Sequence, residues 1–211
     1  MERTKVDASI DSLSILTTEL IRSAPIFYVD GNHELDLLGS DPEKYKLFNE
    51  KMKEQGAIHL NNEIVSIVLK DAPINICGMT THYYWEAEEN ALSERLRNME
   101  GVNIMLCHYP ESILWDKAFG SGGLDIAICG HTHGGLIRIP FKGGVYAPEW
   151  GYWPIYCQGV YPIYTDTNWY NYGGSAGSRQ LGTMLISGGL AGEHHIPRIN
   201  NPGEISVIDI R

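Results

Sequence analysis

Residues 126–135 read IAICGHTHGG, an apolar run that ends in a glycine turn carrying His131 and His133. Two further stretches have the same arrangement, FYVDGNHE at 27–34 and IMLCHYPE at 104–111. In each of them, apolar residues with strand character are followed by a polar turn that contains an imidazole. Functional sites collect where the strands of an α/β sheet end, so we expect the three turns to converge.

Helical and strand-like segments alternate along the chain, which predicts an α/β fold of mixed β-sheets flanked by helices. The predicted helices are 9–22, one from Pro42 to Gly56 with Asp41 as N-cap, 86–99, and a short one ending near Phe119. The predicted strands are 26–29, two or three within 57–79, 102–107, 124–129, 183–187 and 204–210. We expect residues 1–211 to form a single domain.

Composition limits the classes of function. The chain has 211 residues, 43% of them hydrophobic, and 16 basic against 26 acidic residues give a net charge of −10. This charge disfavours binding to long nucleic acid, which needs a basic surface, and therefore disfavours a nuclease. No apolar run approaches the about 20 residues that a membrane helix requires.

The four cysteines, Cys77, Cys107, Cys129 and Cys157, include no CxxC pair. Three of them lie in apolar strand-like runs, where a free cysteine behaves as a small hydrophobic residue. We therefore predict buried reduced thiols rather than disulfides or metal ligands. Reduced thiols favour a cytoplasmic location, although a lost N-terminal anchor or export segment stays open.

The segment from 141 to 172 holds 11 of the 21 aromatic residues and shows no sustained helical or strand periodicity. We predict an aromatic-rich loop or cap over 141–180, and two interpretations of it stay open. It packs its aromatic side chains onto the domain, or it covers a site, because long ordered loops in compact domains are often functional. A covering loop of this composition suits an amphiphilic or ring-bearing ligand.

The histidines of the three motifs also have structural interpretations. His131 and His133 could be hydrogen-bonded turn residues, and His108 could be a satisfied core histidine. Neutral imidazole together with amide and carboxylate oxygen is, however, a ligand set that suits Zn, Mn or Fe. By contrast, His59 alternates with apolar neighbours and is expected to lie on a strand face.

Taken in order, GNHE, LCHYP and GHTHGG resemble the third, fourth and fifth signature blocks of the calcineurin-like metallophosphoesterases. The resemblance is nearest to the small bacterial phosphodiesterase branch, where GHTHGG is followed by R-x-P. Here Arg138, Ile139 and Pro140 form that tripeptide. The resemblance covers nearly all of 20–211 and implies a metallophosphoesterase-like sandwich.

The resemblance also implies two divalent metal ions, of Mn, Fe or Zn, and a ligand set. The implied ligands are Asn32, His108 and His131 for one ion and His133 for the other. His33 would act as the catalytic general acid near the leaving oxygen, and Glu34 would orient it. The implied reaction is hydrolysis of a phosphodiester, phosphomonoester or pyrophosphate bond by metal-activated water.

The aromatic-rich segment favours a small phosphate ester, lipid-linked or nucleotide-bearing, as the substrate. Arg138 would contact its phosphate or, equally, form a structural ion pair. Membrane association and oligomeric state are left open by the sequence.

The first two signature blocks of the family, D-x-H and G-D-x-x-D/E, should precede the helix at 9–22, and neither is present. We therefore expect an N-terminal βαβ portion to be missing and Met1 to be an internal methionine of a longer protein, or the chain to be a fragment. The alternative is a non-catalytic or inactive form of the fold that binds one metal or none.

Overall fold

In a computed structural model of the chain, the structure describes residues 2–80, 92, 94–115, 123–148, 150–167, 173–190 and 196–210. The chain divides into two compact units, Met1–Asn61 and Asn62–Arg211. Each unit is built from both helices and strands.

Helices dominate the smaller unit: α1 is Glu2–Leu20, α2 is Asn32–Ser40 and α3 is Pro42–Glu54. The prediction of α3 and its start is confirmed, because the Asp41 carboxylate accepts the Lys44 N–H at 3.3 Å and Pro42 occupies the first turn. The sequence did not predict α2, which follows directly from the GNHE motif.

A two-stranded parallel sheet completes this unit, with β1 at Phe27–Tyr28 and β2 at Ile58–His59. One face of α3 packs its apolar side chains against the sheet. The resulting small core contains Phe48, Met52 and Ala57, with Ile10, Ile26 and Tyr28 packed against it. Burial of these side chains holds strand and helix together.

A mixed sheet of six strands forms the larger unit, in the order β11-β12-β6-β5-β4-β3. Its strands are β3 Ile64–Leu69, β4 Ala72–Met79, β5 Val102–Cys107, β6 Ile126–Cys129, β11 Gly159–Tyr164 and β12 Gln180–Ile186. The inner strands β4, β5, β6 and β12 are parallel, whereas the two edge strands are antiparallel to their neighbours. The expected α/β architecture with mixed strands is confirmed.

Burial on both faces explains why the inner strands read as continuous apolar runs. Met79, Met105, Ala127 and Met184 from four neighbouring strands are fully buried in one core. The helix α4, at Pro110–Trp115, contributes Ile113 to the same core. This packing holds in place the ends of β5 and β6, where the turns that carry His108 and His131 begin.

The aromatic-rich segment is more ordered than its lack of periodicity suggested. It contains three short strands and the edge strand β11. The short strands are β8 Gly143–Gly144, β9 Tyr146–Ala147 and β10 Gly151–Tyr152; β8 pairs with β7 Arg138–Ile139, which lies just before the segment. Because each is two residues long, no periodicity could reveal them.

The predicted strand at 204–210 is wrong. These residues form no strand in the structure, and Ile205 and Val207 are exposed. Alternation of apolar residues gives strand propensity, but a strand also needs a pairing partner, and none of the described strands pairs with this segment. Half of the predicted helix 86–99, and the end of the one near Phe119, lie outside the described residues. Within the described ranges, no helix has the length and apolarity needed to cross a membrane.

All four cysteines are free and buried, as predicted. Burial raises the pKa of the Cys77 thiol to about 12, and it raises the pKa of Cys129 well above its usual range. In both cases the low-polarity interior disfavours the charged thiolate.

Alkylation of Cys77 should therefore be strongly suppressed in the folded protein. With a pKa of about 12, the thiolate fraction at pH 8 is about 10⁻⁴, roughly a thousandfold below that of an exposed thiol. Iodoacetamide labelling at pH 8, followed by peptide mass spectrometry, should show modification of Cys77 only after unfolding in urea. Labelling at equal rates with and without urea would contradict the burial.

Candidate functional site

The ends of the parallel strands β5 and β6 lie side by side and carry two of the predicted imidazoles. His108 follows β5 directly, and His131 lies two residues beyond the last residue of β6. The two strand ends are tied together because the Gly130 N–H donates to the His108 carbonyl at 3.1 Å. The expectation that these two turns meet is confirmed.

The rings of His108 and His131 contact each other. His131 Nδ1 lies 3.3 Å from His108 Nε2, and the ring centroids are 5.1 Å apart. Tyr109 packs edge-on against both rings at centroid distances of 5.0 and 4.9 Å. His131 is buried, whereas His108 is partly buried.

Glu111 lies behind this pair, and sequence reasoning did not assign it a role. It is almost completely buried in the first turn of α4, and its Oε1 lies 3.9 Å from His131 Nε2. Its other oxygen accepts the indole N–H of Trp150 at 3.3 Å. His131 therefore has one ring nitrogen directed at His108 and the other at a carboxylate. The signal in the sequence was an acidic residue three positions after a motif histidine.

The loop after β6 is a sharp turn rather than an extended chain. His131, His133 and Leu136 have φ angles of 65°, 49° and 50°, in the left-handed region that costs a residue with a side chain about 1–2 kcal/mol. Gly134 and Gly135 are left-handed as well. Strain of this kind persists only where the surroundings hold it, and it clusters at functional sites.

Asn201 is one of the groups that hold the loop, and the sequence analysis did not single it out. Its buried side-chain amide donates to the His133 carbonyl at 2.6 Å and to the Leu136 carbonyl at 3.1 Å. The Arg198 guanidinium in turn donates to the Asn201 side-chain oxygen at 3.2 Å. These contacts join residues more than sixty positions apart, so no local pattern could reveal them.

Arg138 also holds this loop, because its guanidinium donates to the Gly134 carbonyl at 2.8 Å. No carboxylate in the described parts of the chain forms an ion pair with it at 4.0 Å or less. The Arg138 guanidinium thus takes part in a structural hydrogen bond. A contact between Arg138 and a substrate phosphate stays a prediction.

The two imidazoles fit the ligand chemistry of a divalent metal. Two nitrogens bound at about 2.05 Å with a tetrahedral angle between them lie about 3.3 Å apart. The separation between His108 Nε2 and His131 Nδ1 has this value. Glu111 stands where metal-binding histidines usually have a carboxylate partner for the other ring nitrogen. Among the residues that the structure describes, no group of three or more His, Cys, Asp or Glu side chains is placed so that it could hold a metal ion.

Asn32, His33 and Glu34 belong to the smaller unit, where they form the first turn of α2. The Glu34 carboxylate accepts the Gly31 N–H at 2.8 Å and so stabilises the start of the helix. His33 is exposed, and Asn32 is partly buried. Asn32 as a ligand, His33 as the acid and Glu34 as its orienting partner stay predictions, and so does His133 as a ligand of a second ion.

A polar network in the smaller unit was not foreseen. The Asp30 carboxylate is fully buried, accepts the Tyr45 hydroxyl at 2.6 Å and lies 3.0 Å from His59 Nε2. Burial and the neighbouring Asp30 carboxylate raise the pKa of Tyr45. His59 lies on β2 and stacks on Tyr28 at a centroid distance of 4.7 Å, as expected for a strand-face residue. The network fixes the strand that leads into the GNHE turn.

Comparisons with known proteins place this site in context. The chain is 28% identical over 142 residues to the phosphodiesterase YaeI of Escherichia coli, covering 66% of the chain and 48% of that protein. It is 31% identical over 115 residues to a protein of Bacillus subtilis named as the uncharacterized metallophosphoesterase YkoQ, covering 54% of the chain and 40% of that protein. It is 32% identical over 120 residues to the uncharacterized protein YpbG of Bacillus subtilis, covering 54% of the chain and 41% of that protein.

The chain thus spans half or less of the length of these relatives. No family model matches the chain, and no solved structure matches it. The chain is therefore similar, at modest identity, to proteins named as phosphodiesterases and metallophosphoesterases.

Proposed function

We propose that the protein is a metal-dependent phosphoesterase of the calcineurin-like class. The observation that carries the proposal is the pair of imidazole nitrogens 3.3 Å apart at the end of two parallel strands, with Glu111 behind one of them. Relatives named as metallophosphoesterases imply divalent metal cofactors and support the same reaction class.

In this proposal, His108 and His131 would hold one divalent ion, and His133 would be a ligand of a second; the ligand role of Asn32 stays an implication of the resemblance. When bound, such ions lower the pKa of water and neutralise the charge on phosphoryl oxygens. Glu111 keeps the His131 ring oriented, and the left-handed loop held by Asn201 and Arg138 fixes the positions of His131 and His133. The exposed imidazole of His33 donates a proton to the leaving oxygen.

The proposed substrate is a small phosphate ester, either lipid-linked or nucleotide-bearing. A net charge of −10 opposes the approach of long nucleic acids, because bound metal ions neutralise a site and not a whole binding track. The aromatic-rich segment that follows the His133 loop offers ring surfaces for the non-phosphate part of the substrate.

A paired substitution tests the proposal in the full-length native protein. His131→Ala should release metal and abolish hydrolysis of an aryl phosphodiester, because it removes a proposed ligand. His33→Ala should lower turnover by about 10²–10⁴-fold while leaving the metal content nearly unchanged, since it removes only the proton donor. Metal content by elemental mass spectrometry and turnover should be measured on the same samples.

The outcomes separate the alternatives. Unchanged metal content in His131→Ala would remove His131 from the ligand set, and equal loss of metal and turnover in His33→Ala would make His33 a ligand. Stoichiometric metal binding without hydrolysis of diesters, monoesters or pyrophosphates would favour the second candidate, a non-catalytic protein that uses the same imidazole pair for binding.

A further inference from the structure

One surface of the larger unit displays apolar and aromatic side chains that the core does not use. Phe141 is fully exposed, and Tyr152, Trp153 and Val160 are 75%, 53% and 67% exposed. These four residues, together with the exposed Ile155, are here named the aromatic patch. Because scattered apolar residues are normal on protein surfaces but contiguous ones are not, continuity decides whether this patch has a partner.

Three members of the patch are contiguous. Trp153, Ile155 and Val160 line a single open cavity of about 710 Å³, together with Lys142 and Tyr164. Phe141 and Tyr152 immediately precede Lys142 and Trp153 in the chain, and both are exposed. The apolar lining of the cavity therefore forms one surface, with two further exposed rings next to it in the chain.

The backbone is strained at two positions of this surface. Phe141, in the turn between β7 and β8, has a φ of 66°, and Trp153 has a φ of 59°. A turn with only a structural role would place Gly or Asn at such positions. Each left-handed aromatic residue is conformationally unfavourable and also leaves a large apolar side chain exposed to water. Backbone strain of this kind clusters at functional sites.

Packing onto the domain explains only some of the aromatic residues of this segment. Tyr156 is fully buried between Trp150 and Tyr161, at centroid distances of 5.2 and 5.1 Å. This inner set anchors the segment on the core. The residues of the aromatic patch are exposed instead. Packing of the segment onto the domain therefore describes the inner set and not the patch.

We propose that the aromatic patch docks the protein on a phospholipid bilayer. Trp and Tyr rings prefer the boundary between headgroups and acyl chains, and exposed Phe and Ile side chains insert beside them. The described lining of the cavity carries Lys142 and no carboxylate, in a chain whose net charge is −10. The positive charge of Lys142 makes the patch compatible with lipid phosphates, whereas the net negative charge of the whole chain opposes binding to them.

Docking would also place the imidazole loop at the membrane surface. The turn that carries Phe141 and Lys142 leads into β8, and a side chain added at Gly135 would collide with the Gly144 backbone there. The strand that follows the Phe141 turn is thus packed closely against the loop that carries His133. Bilayer binding is measured without hydrolysis, so it stands or fails independently of the proposed phosphoesterase function.

Vesicle co-sedimentation of the full chain tests the proposal. The vesicles contain phosphatidylcholine alone or with about one third phosphatidylglycerol. Wild-type protein should bind both kinds of vesicle. The anionic lipid should improve binding a few-fold, which is about the effect of one cation, here Lys142, near a charged lipid surface. The double variant Phe141→Ser, Trp153→Ser should bind at least about tenfold more weakly, because it removes the inserted rings.

Val68→Ser is the matched control, since Val68 on β3 is as exposed as the patch residues and lies outside the patch. It should bind vesicles like the wild type. Equal weakening by the control would overturn the proposal, and so would wild-type protein that stays in the supernatant at millimolar lipid. Light scattering without lipid provides a further test: a dimer that the double variant disrupts, without vesicle binding, would assign the patch to a second copy instead.

Discussion

A Gly135→Ala variant should lose about 2–5 kcal/mol of its free energy of unfolding. Gly135 has a φ of 79°, which an alanine adopts at a cost of about 1–2 kcal/mol. A Cβ atom there would lie 2.5 Å from the Gly144 Cα. Because that neighbour is backbone, the contact is relieved only if the loop moves away from β8, which adds about 1–3 kcal/mol.

The same displacement should weaken metal binding, because the loop that moves carries His131 and His133. Urea unfolding gives the stability, and calorimetric titration with Zn²⁺ gives the affinity. Gly143→Ala is the matched control. Gly143 also has a positive φ, of 91°, but an added Cβ meets nothing within 4 Å. Gly143→Ala should therefore lose only the free energy of unfolding that the left-handed conformation costs, and its Zn²⁺ affinity should be unchanged. Equal losses of stability and Zn²⁺ affinity in both variants would contradict the close packing of Gly135 on Gly144.

Local sequence predicted the parts of this molecule that local forces determine. Asp41 and Pro42 mark the start of α3 because a carboxylate cap and a proline in the first turn act within four residues. The buried parallel strands β5 and β6 were evident from their apolar runs. Since parallel strand ends meet at one edge, the sequence predicted that the turns of His108 and His131 converge, and the adjacency of β5 and β6 in the sheet brings their rings into contact.

Long-range contacts were beyond the sequence. Asn201 reaches the carbonyls of His133 and Leu136 across more than sixty residues, and nothing near Asn201 indicates that role. The strand β11 was missed for a different reason, because it contains Pro162, which sheets tolerate at an edge and which breaks a strand pattern. The segment 204–210 shows the opposite error, since its alternating pattern was complete and no described strand pairs with it.

A Glu111→Gln variant should lose about 10–100-fold in metal affinity while remaining folded. The glutamine amide has the same shape and can still accept the Trp150 indole N–H. It lacks the negative charge that faces His131 Nε2 at 3.9 Å. Carboxylates in this position orient the imidazole and increase its basicity, and their removal weakens metal binding by this factor.

Ser112→Ala supplies the matched control, because Ser112 is the next residue of α4 and equally buried, and its hydroxyl makes no hydrogen bond within the described structure. Zn²⁺ titration of both variants should show a large loss for Glu111→Gln and none for Ser112→Ala, with urea unfolding confirming that both are folded. If both bind Zn²⁺ as the wild type does, Glu111 merely fills the core. If only Glu111→Gln loses Zn²⁺ affinity, the buried carboxylate is part of the metal site. The contact between His108 and His131 then serves metal binding and not only the packing of the core.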